Sequence, residues 1–129
     1  MPFIRISLRK GRTPDQLKQL TDTVHEVLVR SFNVPQDDRF QVVHQHGAEE
    51  FFYDPQYFGV QRTDDLVYIQ VFAGKPRTTE VKRAFFKDLS QTLATSCGLS
   101  PDNVFVVIST SGAEDWSFGR GLAQMLGDR

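Results

Sequence analysis

The sequence predicts an α/β (α+β) chain in which two β-α-β units share one four-stranded sheet and both helices lie on one face. Three observations predict it. Apolar residues alternate along short segments that read as strands; they recur at three- and four-residue steps along two capped segments that read as helices. The whole pattern repeats at a fixed offset, since the two capping threonines, Thr13 and Thr78, stand 78 − 13 = 65 residues apart.

Pro2 to Leu8 places Ile4, Ile6 and Leu8 on one face and Arg5 and Ser7 on the other, with Phe3 interrupting strict alternation. This is the first strand. Thr13-Pro14-Asp15-Gln16 then supplies an N-cap, a proline at the first helical position and a Gln that closes a capping box. Leu17, Leu20, Val24, Val27, Leu28 and Phe32 form one apolar stripe, which Asn33 and Pro35 stop. Phe40 to His46 follows as a second strand.

At the 65-residue offset Ile4 meets Ile69, Lys10 meets Lys75, Arg12 meets Arg77, Leu20 meets Phe85 and Leu28 meets Leu93 (69 − 4 = 65). The identities Asp37/Asp102 and Phe40/Phe105 continue the match beyond the helices. We therefore expect repeats at about residues 2–46 and 67–109 within a single domain, 1–129. Neither unit buries its apolar face alone, so the pair must share a sheet. Parallel strands within each unit require right-handed crossovers. The sheet face without helices has no third layer in the sequence to cover it, so an oligomer is expected.

Two segments fall outside the repeat. Gly47 to Asp65 carries Phe51, Phe52, Tyr53, Tyr57 and Phe58 among turn residues and reads as a loop whose aromatics pack on the sheet or on a neighbour. Ser109 to Gly121 reads as a turn and a short hairpin or helical turn.

The composition narrows the function. Fifteen Lys and Arg against sixteen Asp and Glu give a formal charge of −1, and 40% of residues are hydrophobic. That supports a globular core but lacks the clustered cationic excess of a nucleic-acid binder. No apolar run reaches the ~20 residues of a membrane span, and the first residues lack a leader pattern, so a cytoplasmic protein is expected. Cys97 is the only cysteine and sits on an apolar helix face, which suits the core rather than a nucleophile.

Four features suggest chemistry. Methionine removal before Pro2 would leave a secondary amine at the start of a strand, positioned by the sheet. Gly74-Lys75-Pro76-Arg77-Thr78 places two cations between a strand end and a capped helix, where Pro76 keeps Lys75 extended and a carboxylate could be clamped. Asp37 has Asp102 as its repeat partner and suits a turn; Asp38 is matched by Asn103, so the turn does not require its charge. His44 and His46 share a strand face but lack a third ligand, so no metal site is expected.

An N-terminal proline, a doubled β-α-β unit and a paired-cation motif together resemble the tautomerase superfamily. Val34-Pro35-Gln36-Asp37-Asp38-Arg39-Phe40-Gln41-Val42-Val43, Lys75-Pro76-Arg77 and Asp115-Trp116-Ser117-Phe118-Gly119 resemble its malonate semialdehyde decarboxylase branch over nearly the whole chain. The resemblance implies a homotrimer acting on a small carboxylate without metal or organic cofactor. It also implies a catalytic set of Pro2, Asp38, Lys75 and Arg77, with Trp116 and Phe118 beside Lys75 and Arg77 in the substrate pocket. The activity implied is decarboxylation of a short 3-oxo acid such as malonate semialdehyde. The alternatives are a tautomerase or hydratase of a small 2-oxo or unsaturated acid, and a non-enzymatic carboxylate-binding module. One departure stands out: the branch has Arg where this chain has Lys75, replacing a planar fork by a point charge.

Overall fold

The structure, a computed structural model, describes residues 1–129. Strand β1 spans Pro2–Arg9 and leads into helix α1, Pro14–Ser31, and strand β2, Gln41–His46. Strand β3, Val67–Ala73, helix α2, Thr79–Cys97, and strand β4, Val104–Thr110, repeat the order. Strand β2 begins one residue later than the alternation suggests, although the Phe40 carbonyl still accepts from the Ile4 N–H at 3.0 Å.

The helix starts follow from local chemistry. Thr13 accepts from the Gln16 N–H at 3.1 Å while Gln16 Oε1 accepts from the Thr13 N–H at 2.9 Å, completing the capping box. Thr78 accepts from the Val81 N–H at 3.2 Å and has nearly the same backbone angles as Thr13 (φ −70°, ψ 163° against φ −73°, ψ 161°). Both helices exit through a left-handed residue, Asn33 at φ 55° and Gly98 at φ 65°, types that tolerate that region.

The sheet order is β2-β1-β3-β4, with each outer strand parallel to its inner neighbour and the inner pair antiparallel. Ile4 lies beside Gln41 and Ile69 beside Val106, the same separation in both units (41 − 4 = 106 − 69 = 37). Arg5 pairs with Gln70, its own repeat partner, so an approximate two-fold axis passes between them. That axis carries the Pro2 end of the inner strands onto the opposite end, where β1 finishes.

One side of the sheet holds the core. Ile4, Ile6 and Leu8 of β1 and Val67, Ile69, Val71 and Ala73 of β3 are buried in one cluster with Leu20, Val24, Val27, Leu28, Phe85, Leu89 and Leu93 of the helices. Each such large apolar side chain contributes roughly 1.5–3 kcal/mol by leaving water. The helices are tied by a two-pronged contact of Arg30 with Asp88, at 2.9 and 2.7 Å, which Ser31 and Thr92 extend. These donors hold the Asp88 carboxyl well below the usual carboxylate range, with Arg30 the main cause.

The other side of the sheet has no covering layer. Phe3 stacks on Phe72, Tyr68 meets Phe105 edge-on, and Val42, Phe105 and Val107 remain exposed. Of the aromatics in 47–65, Phe51 is buried against Tyr68, whereas Phe52, Tyr57 and Phe58 stand in solvent. No helix is long and apolar enough to cross a membrane.

Candidate active site

The site lies where β1 begins, because the antiparallel register sets Pro2 beside Ala73 and brings the following turn over the chain start. Pro2 is buried. The Gly74 N–H donates to the Met1 carbonyl at 2.8 Å, so the terminus is held as part of the sheet rather than frayed.

Asp38 reaches the same place from the loop after α1. Its side chain is 8% exposed and Oδ2 lies 3.2 Å from the Met1 ammonium, yet neither carboxylate oxygen accepts an aligned hydrogen bond. A buried carboxylate with so little support is costly unless a cation faces it. Its neighbour Asp37 is exposed, so the two acids part company as their repeat partners suggest. The loop itself is pinned by His25, a buried residue of α1 whose Nε2 is 2.8 Å from the Gln36 carbonyl. A carbonyl only accepts, so Nε2 carries the proton. His25 escaped the sequence reading; its only signal is a polar residue between the apolar positions Val24 and Val27.

Arg77 and Lys75 behave differently. Arg77 is half-buried: its Nε and Nη2 donate to the Phe32 carbonyl at the end of α1, at 3.1 and 2.9 Å, and Nη1 donates to the Lys75 carbonyl at 2.8 Å. Its guanidinium carbon stands 4.3 Å from the centre of the Phe32 ring. One N–H on each terminal nitrogen stays free for a ligand. Burial pushes the Arg77 guanidinium down from its usual range, and the nearby Asp38 charge opposes that shift. Lys75 is exposed, and its ammonium makes no ion pair in the chain.

The aromatic residues of the C-terminal segment close in from the side. A Cβ added at Gly74 would meet Trp116 Nε1 at 3.1 Å and the Met1 side chain at 3.3 Å, so a larger residue there would crowd the site. Trp116 Nε1 donates to Ser111 Oγ at 2.8 Å, and its ring stacks on Phe118 at 5.8 Å, which in turn meets Phe40 at 6.0 Å. Segment 109–121 contains a single helical turn, Ala113–Asp115, between β4 and Trp116. The chain thus gathers Pro2, Asp38, Arg77 and Trp116 around the strand start, with Phe118 behind Trp116 and Lys75 at the rim. His44 lies elsewhere, on the open sheet face, where Nε2 accepts from Arg5 Nε at 3.1 Å.

Such a site offers a buried anion, a fixed guanidinium and an amine position with one aromatic wall. Comparison with known proteins bears on it directly. Two family models, both described as tautomerase enzyme, match residues 38–119 and 2–61. The chain is 43% identical to probable tautomerase YusQ of Bacillus subtilis (strain 168) over 98% of its length and 99% of that protein. Among solved structures, malonate semialdehyde decarboxylase, described with decarboxylase and hydratase activities, aligns at a TM-score of 0.91 and 39% identity, covering 96% of this chain and 95% of that one. A fused 4-OT, solved as a symmetric trimer, shares the fold at a TM-score of 0.78 and 21% identity, covering 97% of this chain and 98% of that one.

Proposed function

The chain belongs to the tautomerase superfamily of enzymes, and on that premise we propose that it decarboxylates a short 3-oxo acid such as malonate semialdehyde through the amine of Pro2. The observation that carries this reading is the buried Asp38 carboxylate facing the chain-terminal ammonium at 3.2 Å without other support. Removal of Met1 would pass the terminal amine to Pro2, and the Gly74 N–H that now binds the Met1 carbonyl would be released to the pocket.

The chemistry follows from charge. Cleaving the bond to the carboxylate carbon releases CO2 and leaves the electron pair on the α-carbon, delocalised onto the carbonyl oxygen. That oxygen needs a donor. Protonated Pro2 donates to it directly; neutral Pro2 instead condenses with the carbonyl, losing water, and the resulting iminium takes up the electron pair. The Asp38 carboxylate lies opposite the positive charge that the protonated amine or the iminium carries. The free N–H groups of Arg77, with the ammonium of Lys75, hold the departing carboxylate while Trp116 and Phe118 exclude water on one side. No metal or organic cofactor enters this scheme.

Three copies closing over the open sheet face would bury Val42, Phe105 and Val107, and the trimeric fused 4-OT supports that assembly as a homotrimer. A second reading, tautomerisation of a small 2-oxo acid or hydration of an unsaturated one, is favoured by the likeness to a probable tautomerase and by Lys75, whose point charge holds a carboxylate less rigidly than a fork. The test is acetaldehyde release from malonate semialdehyde, using protein whose intact mass lacks Met1, beside ketonisation of phenylenolpyruvate. Faster acetaldehyde release supports decarboxylation. Ketonisation without acetaldehyde supports the second reading instead.

A further inference from the structure

The approximate two-fold axis carries the Lys75-Pro76-Arg77-Thr78 turn onto Lys10-Gly11-Arg12-Thr13, at the opposite end of the inner strands. The correspondence extends to environment. Lys10 is exposed like Lys75, and Arg12 is half-buried like Arg77. Arg12 Nη2 donates to the Asp65 carbonyl at 2.8 Å, as Arg77 does to backbone carbonyls at its own end. Beside this turn lies a cavity of about 730 Å³ lined by Arg9, Lys10, Arg12, Gln16, Leu99 and Asn103, among others. We infer that this cavity is a second site for a small carboxylate, one that binds it without converting it.

The electrostatics favour an anion. Five charged side chains line the cavity, three cationic and two carboxylate. Asp64 is already neutralised, since Oδ2 lies 3.1 Å from Arg9 Nη1 and Oδ1 accepts from the Tyr53 hydroxyl at 2.6 Å. Lys10 and Arg12 then face the Asp65 carboxylate alone, an excess of one positive charge. The volume suits a small organic acid with room for water.

The chemistry stops at binding. Val67 stands where the other end has Pro2, inside the chain and without an amine. Asn103 stands where the other end has Asp38, but its carboxamide is consumed by Thr63, accepting from the Thr63 N–H and donating to Thr63 Oγ1, both at 2.8 Å. This inference holds whichever reaction the Pro2 end performs.

The test is a titration of 15N-labelled protein with malonate, read at the amides of residues 10–13 and 98–100 and, separately, of residues 74–78. Saturable shifts are expected at both groups. Lys10→Glu should weaken binding at the first group at least tenfold and spare the second, whereas Lys75→Glu should do the reverse; Lys10→Glu should leave turnover within twofold. Lys10→Met, which keeps the stem and removes only the charge, should weaken the first group in the same direction. No saturable shift at residues 10–13, the same shift from sodium chloride at equal ionic strength, indifference to both Lys10 variants, or loss of both groups in Lys75→Glu would each overturn the inference.

Discussion

Asp38 and Asn103 occupy equivalent places: each follows a helix by a left-handed exit, each N–H donates to the carbonyl three residues before it, at 3.0 and 2.9 Å, and each side chain is buried. Their partners differ. Asn103 meets a continuing chain and is satisfied by the neutral groups of Thr63, while Asp38 meets a chain start and faces its ammonium. A buried amide suits neutral backbone and a buried carboxylate needs a cation. One fold unit, used twice, therefore yields a charged end and a neutral end, told apart by a carboxylate facing an ammonium in one and an amide facing neutral groups in the other.

Exchanging the cyclic secondary amine of Pro2 for an open-chain primary one should break that distinction most completely. In protein lacking Met1, Pro2→Ala is expected to lower acetaldehyde release by about 10²–10⁴-fold; Val67→Ala, at the equivalent position, should cost stability but not activity per folded molecule. Steady-state kinetics with a circular-dichroism melt separate the two. The arginines come next. Arg77→Ala should reduce kcat/KM by about 100-fold and lower stability by about 1–3 kcal/mol, because the Phe32 carbonyl loses both its guanidinium donors. Arg12→Ala should leave kcat/KM within twofold.

The lysines sharpen the comparison further. Lys75→Arg restores a fork at the rim of the charged end and should raise kcat/KM about fivefold, roughly 1 kcal/mol of added carboxylate binding in the transition state; Lys10→Arg should leave the rate unchanged. The smallest effect concerns the helix pair shared by both ends. The Asp88 carboxyl releases its proton more readily folded than unfolded, so its contribution is present in full above the unfolded value and is lost progressively as pH falls from there toward the much lower folded value. Asp88→Asn should cost about 1–2 kcal/mol at neutral pH, and urea melts of variant and wild type should converge as pH drops below about 4.

The repeat was legible because it is local: capping threonines, apolar stripes and the residues that stop them, such as Asn33 and Pro35, act on neighbours within a few residues. The 65-residue offset then implied one shared sheet, whereas the approximate axis rests on the antiparallel register of β1 and β3. What local pattern does not carry is the contact between distant segments. Arg77 reads in sequence as half of a carboxylate clamp, yet three of its N–H groups are committed to the Phe32 and Lys75 carbonyls. Only folding brings residues 32 and 77 together. The same holds for His25 and the Gln36 carbonyl, and for Phe51, the one buried aromatic of a cluster that looked uniform. Asp38, by contrast, was separable from Asp37 in advance, because its repeat partner is uncharged.

If the Asp38 charge serves the terminal amine once that amine belongs to Pro2, exchanging the carboxylate for its repeat partner's amide is the most direct test. Acetaldehyde release from malonate semialdehyde should be measured for Asp38→Asn protein lacking Met1, beside the wild type. We expect a fall of about 100-fold or more with no loss of thermal stability, since the change removes a buried carboxylate that accepts no aligned hydrogen bond. Turnover within twofold of the wild type would contradict the account, for the charged end would then work with the neutral end's residue.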